Sequence, residues 1–100
     1  QLRHEDMDFK IIRIKNHTKR NLRDVKSRLI GTHGKTRKTI SEIADCDILI
    51  KESEVGAIAE AEYMDNVSTA IIRIIKGSKQ SNTYKYLERM NRAKKESSPE

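Results

Sequence analysis

The sequence predicts an α+β domain in which helices cover one face of a small antiparallel sheet, with one further helix at the end. Three observations carry this prediction. Residues 9–15 alternate their side chains as a strand does, residues 16–45 hold two short amphipathic helices separated by a pair of glycines, and residues 62–76 carry a long apolar helical stripe. A chain of 100 residues has the length of one domain.

The helices are predicted from apolar residues that recur three or four positions apart. The first helix, 16–30, has Leu22, Val25 and Leu29 on one face and basic residues on the other, and Gly31 ends it. The same spacing predicts the other helices at 35–45 (Ile40, Ile43, Ala44), 62–76 (Met64, Val67, Ala70, Ile71, Ile74, Ile75) and 83–95 (Tyr84, Leu87, Met90).

Two further strands, 46–51 and 55–61, are predicted to pair through a tight turn. Ile48 and Ile50 share one face of the first, and the small residues of the second permit close packing. The predicted order is therefore β-α-α-β-β-α with an extra C-terminal helix. Such an order places the helices on one face of a three-stranded antiparallel sheet.

Charges are sorted along the chain. Residues 10–38 hold eleven Lys and Arg against one Asp, a net charge of +10, whereas residues 39–66 hold one Lys against eight acids, a net charge of −7. The whole chain carries +6. We interpret the basic block as a surface for a polyanion; a solvated basic face with no partner is the alternative.

The composition argues against several classes of protein. The longest apolar run is far shorter than the roughly 20 residues that a membrane-spanning helix needs, so no membrane partner is expected. A single Cys46 excludes an internal disulfide and fits a reducing compartment, so we expect a cytoplasmic protein. His4, His17, His33 and Cys46 lack the spacing of metal ligands, and neither a metal nor a cofactor is expected.

The segment Gly31–Thr36, with the sequence GTHGKT, ends like a nucleotide-binding loop. A Walker A loop requires G-x-x-x-x-G-K-[ST] after a buried strand, because four residues between the glycines let the backbone wrap a β-phosphate. Here the first glycine would have to stand at position 29, which is Leu29, and the segment follows a helix. The spacing and the context therefore exclude nucleotide binding of this type.

The two-residue gap between the glycines fits the G-x-x-G loop of KH domains, which clamps about four nucleotides of single-stranded RNA. Glycines allow an RNA backbone to approach closely, and the following helix offers free N–H groups to phosphate. The predicted element order is that of the eukaryotic-type (type I) KH fold. The residues predicted to bind RNA are Arg28, Ile30, Gly31, Thr32, His33, Gly34, Lys35, Thr36, Arg37, Lys38, Ile40, Ile48 and Ile50.

Some of these residues also fit a structural role. The isoleucines belong to the core as much as to an RNA groove, and the basic residues fit a charged surface without a ligand. No catalysis is expected, because His33 would need a second positioned group and the basic block offers only Asp24. Tyr84 and Tyr86 could stack on bases, but we favour docking of the last helix on the domain or on a partner protein.

The chain resembles the second KH domain of the Dim/partner-of-Nob family of small-subunit ribosome assembly factors, of the archaeal type. The resemblance rests on the run RLIGTHGKTRKTISEIADCDILI, in which Arg37 stands where other KH domains usually carry Ile, and on the tail IIKGSKQSNTYKYLERMNR. It implies a connector at residues 1–8 from a missing N-terminal KH module, a KH domain at 9–79, and a C-terminal helical extension and tail at 80–100.

The resemblance also implies binding to single-stranded ribosomal RNA near the 3′ end of the small-subunit rRNA. The implied protein partners are the endonuclease that trims this end and other small-subunit assembly factors. Two alternatives stay open: a KH-like scaffold whose groove and last helix bind proteins, and a KH module from another RNA pathway.

Overall fold

The predicted order of elements is confirmed by the computed structural model, which describes the backbone of residues 7–97 and the side chains of residues 7–92. The strands are β1 (Met7–Arg13), β2 (Asp47–Ile50) and β3 (Glu54–Glu60). The helices are α1 (Leu22–Ile30), α2 (Lys35–Ala44), α3 (Ala61–Lys76) and α4 (Gln80–Ser97). Most of the predicted connector at 1–8 and the last three residues of the tail lie outside the described residues.

The three strands form one antiparallel sheet in the order β1–β3–β2. Ile12 pairs with Val55, and Ile48 pairs with Ala57, so that these four side chains point to the covered face. Neighbouring residues point to the other face, where Phe9, Ile11 and Leu49 are about half exposed. The alternation in the sequence thus sets which side of the sheet receives the helices.

The core lies between the inner face of the sheet and α1, α2 and α3. α3 contributes the longest buried stripe, as its spacing predicts. The side chains that are fully buried and bulky include Ile14, Val25, Leu29, Ile40, Val55, Val67, Ile71, Ile74, Ile75 and Leu87. Among the described residues, no helix combines the length and the hydropathy of a membrane-spanning segment.

The main difference from the prediction is the start of the first helix. α1 begins at Leu22 rather than at residue 16, because the side chain of Asn21 accepts a hydrogen bond from the Arg23 N–H at 2.8 Å and caps the helix. Residues 14–16 instead form a short 3-10 turn at the end of β1. The polar residues of 16–21 were predicted as the helix start but belong to the connection before it.

α4 docks on the domain, against α2 and α3. Its residues Thr83 and Leu87 are fully buried, and its half-buried Tyr84 and Tyr86 pack against the core. The Arg73 guanidinium of α3 lies 4.3 Å from the centre of the Tyr86 ring, in cation–π contact. The structure therefore assigns the two tyrosines to packing within this molecule.

Candidate nucleic-acid interface

The segment Gly31–Gly34 connects α1 to α2 through backbone conformations that few residues adopt. Gly31 has φ 79° and ψ 171°, His33 has φ 56°, and Gly34 has φ 75°, all on the positive side. The Gly31 N–H donates to the Ser27 carbonyl at 2.8 Å, and the Gly34 N–H donates to the Gly31 carbonyl at 3.1 Å. These two hydrogen bonds close the turn, and the residues at its tip, Thr32 and His33, are exposed.

The two glycines are required for different reasons. A Cβ on Gly31 would lie 2.3 Å from the Thr36 Oγ1 and 2.6 Å from the Thr36 backbone nitrogen, so this glycine packs directly on the first turn of α2. A Cβ on Gly34 would meet no atom within 4 Å, so only its left-handed backbone favours glycine there. Gly31 holds the loop in place, and Gly34 leaves its outer side open.

The exposed side chains of the loop and of the first turns of α2 are polar or basic. Thr32 and His33 form the tip, and Lys35, Arg37 and Lys38 follow on the first turns of α2. The first N–H groups of a helix have no partner within the helix, and the helix dipole adds positive potential there. Because the described first turn of α2 holds no acidic residue, this end of the helix is suited to an anion.

A cavity of about 570 Å³ lies beside the loop, between α2 and β2 at the edge of the sheet. It brings together five of the predicted site residues, with apolar side chains on the strand side and basic ones on the helix side. Its lining residues are His33, Gly34, Arg37, Lys38, Ser41, Asp47, Ile48, Leu49 and Ile58. Such a surface can receive bases on its apolar wall while phosphates remain with the cations.

A second cavity of about 390 Å³ lies against α1 and includes the predicted residue Ile30, which is 38% exposed. Its wall also contains Arg23, Lys26 and, from the turn between β2 and β3, Glu52. These three residues were not among the predicted site residues. Their signal was present in the spacing, because positions 23, 26 and 30 share one face of a helix that leads directly to the loop.

The structure contradicts one predicted contact, that of Ile40, and shows that three other predicted site residues are buried or half buried. Ile40 is fully buried in the core and cannot line a groove, and Thr36 is only 4% exposed because its side chain packs beneath Gly31. Arg28 is half buried, and its guanidinium donates a hydrogen bond to the Ser78 carbonyl between α3 and α4. Ile50 is half buried and packs against the core, whereas Ile48 reaches the cavity wall.

Cys46, at the far end of α2, is a buried thiol. Burial raises its pKa to about 11, and the negative charges of Asp47 and Asp45 add to this shift. Such a thiol stays protonated and unreactive at neutral pH. Among the described residues, no three His, Cys, Asp or Glu side chains are grouped as a metal site.

The comparison with protein families gives one model that matches residues 8–92. It is the model of the second KH domain of the partner-of-Nob proteins, described as a eukaryotic-type KH domain, type I. Among curated proteins, a KH domain-containing protein of Methanocaldococcus jannaschii is 29% identical over 69 residues, which is 69% of this chain and 30% of the relative.

Solved structures share the fold over almost the whole chain. A protein of unknown function from Aeropyrum pernix matches with a TM-score of 0.86 and 31% identity, over 93% of this chain and 51% of that one. Dim2p of Pyrococcus horikoshii, in its complex with a/eIF2alpha and rRNA, matches with a TM-score of 0.82 and 28% identity, over 90% of this chain and 50% of that one. A second crystal structure of Dim2p from the same organism matches with a TM-score of 0.79 and 29% identity, over 86% of this chain and 51% of that one. The chain spans about half the length of these structures.

Proposed function

Because this chain belongs to the Dim/partner-of-Nob family of KH-domain ribosome assembly factors, we propose that it binds single-stranded RNA through the Gly31–Gly34 loop. The observation that carries the proposal is the loop itself. Its first glycine, Gly31, packs closely against Thr36, and its tip is exposed. The loop leads into α2, whose first turn carries cations and no acid. RNA binding during ribosome assembly agrees with the rRNA complex of the similar Pyrococcus protein.

In this proposal the sugar–phosphate backbone follows the loop and the bases turn into the cavity beside it. Thr32 and His33 lie next to the phosphates, and Lys35, Arg37 and Lys38 neutralise their charge. The bases rest on Ile48 and on the edge strand β2, whose outer backbone groups are not used by the described strands of the sheet. Binding therefore needs no acid–base chemistry, and we propose a function without catalysis.

The RNA that we propose is the region near the 3′ end of the small-subunit rRNA. The endonuclease that trims this end and other assembly factors are the proposed protein partners, and the cytoplasm is the proposed compartment. The family resemblance supports this assignment. The concentration of positive charge in residues 10–38 supports binding to a polyanion, whatever its sequence. The two alternatives, a protein-binding scaffold and an RNA module of another pathway, predict different RNA affinities in the experiments described next.

The test replaces the two exposed residues of the tip in the double variant Thr32→Asp/His33→Asp. Two carboxylates against the phosphates should weaken binding by at least roughly 30-fold, since a hydrogen bond to a charged group contributes about 1.5–3 kcal/mol. Asp is suited to the positive φ of position 33, so the free energy of unfolding should change by less than about 0.5 kcal/mol. Fluorescence anisotropy with a labelled oligonucleotide of the rRNA 3′ end measures the affinity.

The chain offers a matched control in another loop, where the same two residue types stand at His17 and Thr18. The double variant His17→Asp/Thr18→Asp adds the same charge before α1, at residues that line neither the loop nor the cavity beside it, and should leave the affinity within about threefold. Equal binding by the wild type and the tip variant would instead support the scaffold. Equal binding of a scrambled oligonucleotide would reject the 3′-end assignment while retaining the clamp.

A further inference from the structure

A third cavity, of about 310 Å³, lies beside the loop, where the start of α4 faces the junction of α1 and α2. Its lining residues are Ser27, Arg28, Gly31, Thr32, Lys35, Thr36 and Gln80. Gln80 is the first residue of α4, an element beyond the β-α-α-β-β-α order. One wall of this cavity therefore exists only because the extra helix docks there.

The position of that wall is fixed by several contacts across the chain. The Arg28 guanidinium donates to the Ser78 carbonyl, and the Gln80 amide lies 3.5 Å from the Arg28 carbonyl. At the other end of the helix, the Asn91 amide donates to the Ile43 carbonyl. α4 thus runs in the same direction as α2, with its first turn next to the loop and its body held by the buried Leu87.

The third cavity differs chemically from the cavity next to β2. The β2 side has an apolar wall formed by Ile48, Leu49 and Ile58, together with the carboxylate of Asp47. The α4 side has two cations, Arg28 and Lys35, along with hydroxyl and amide groups, and none of its described lining residues is acidic or a large apolar residue. The first surface suits bases, whereas the second suits a phosphate.

The tip of the loop divides these two cavities. His33 lines the cavity next to β2, and its neighbour Thr32 lines the cavity next to α4. A strand clamped at the tip would therefore have its adjoining phosphate close to the second surface. We propose that the cavity formed by Arg28, Lys35 and Gln80 is a second phosphate subsite, which holds a nucleotide flanking the clamped segment.

This inference rests on the proposed RNA clamp, and it predicts an RNA site longer than about four nucleotides. The wild type should bind a single-stranded RNA of mixed sequence and about eight nucleotides more tightly than one of about four. Its log–log salt dependence should be steeper by about 0.7 for each additional phosphate that the protein neutralises. Anisotropy titrations at several salt concentrations, with extensions placed on either the 5′ or the 3′ side, measure both quantities.

The decisive variant is Gln80→Glu, which places a carboxylate in the cavity while favouring the positive end of α4. It should weaken binding of the longer RNA about tenfold and leave the shorter RNA within about twofold. The matched control is Asn82→Asp, an exposed amide-to-acid change two residues along the same helix that does not line the cavity. This control should bind both RNAs as the wild type does.

The opposite change, Gln80→Lys, should strengthen binding of the longer RNA about threefold and steepen its salt dependence. Because unfolding would lower the affinity, such a gain could not result from a loss of structure. Equal effects of Gln80→Glu and Asn82→Asp, or equal affinity of the wild type for both RNA lengths, would overturn the second subsite and leave the clamp intact. Failure of the wild type to bind either RNA would reject the clamp, and the subsite with it.

Discussion

Helices α2 and α3 differ in how the charged residues at their ends relate to the helix dipole. α3 has Glu62 in its first turn and Arg73 and Lys76 in its last, so its charges complement the helix dipole. In α2, the described first turn holds no acid and the last turn holds no base. Instead, Lys35 and Arg37 stand at the positive end, and acidic residues surround the negative end.

The difference agrees with the proposed role of α2 in RNA binding. Each charge that opposes the dipole costs about 0.3–1 kcal/mol at an exposed site, so α2 is less stable by itself than its composition would allow. Its burial of Ile40 and Ala44, together with the docking of α4, offsets this cost. The unfavourable cations add to the positive potential next to the loop, which is the arrangement that attracts a polyanion.

The largest expected effect concerns the residue that positions α2 behind the loop. Gly31→Ala should lower the free energy of unfolding by about 3 kcal/mol or more, because the φ and ψ of Gly31 are accessible almost only to glycine and the new Cβ would overlap the Thr36 backbone. Chemical denaturation measures the loss. The matched change Gly34→Ala meets no atoms and should cost only about 1 kcal/mol; equal losses would show that Gly31 is not the anchor of α2.

A smaller effect is expected at the acidic end of α2, where Cys46 lies. Because its pKa rises from 9.0 to about 11 on folding, the unfolded thiol loses its proton first as the pH increases. Stability should therefore fall by roughly 2 kcal/mol between pH 9 and pH 11, with the full contribution retained below pH 9. Denaturation across this pH range tests the prediction. The Cys46→Ala variant should lack this part of the decline, and identical pH profiles would contradict the assignment.

The smallest expected change in stability reverses one cation at the start of α2. Arg37→Glu should raise the free energy of unfolding by about 0.5 kcal/mol at low salt, because the new charge suits the helix dipole, while it weakens RNA binding. The matched variant Lys76→Glu, in the last turn of α3, should lower stability by a similar amount and leave RNA affinity within about twofold. A loss of stability in Arg37→Glu would refute the contrast between the two helices.

Much of the fold could be predicted because it depends on local pattern. The alternation in β1 and the stripe in α3 predicted both elements within a few residues, and the glycines at 31 and 34 placed the junction of α1 and α2 correctly. The start of α1 was misplaced because polar residues before Asn21 fit a helix start as well as a connection. The fold and the family were thus accessible from sequence, whereas the burial and internal contacts of residues such as Thr36 and Arg28 were not.

By itself, the sequence determined the sorted charge, the order of elements and the G-x-x-G loop, since each depends on residues that are neighbours in the chain. Only the tertiary structure decided which residues near the loop are exposed and which are held by contacts within the molecule. Thr36 is turned inward by contact with Gly31, and Arg28 is bound by the Ser78 carbonyl. Gln80 lines the cavity beside the loop because α4 packs along α2. Spacing cannot show such contacts, because they join side chains whose separation in sequence bears no fixed relation to their distance in space.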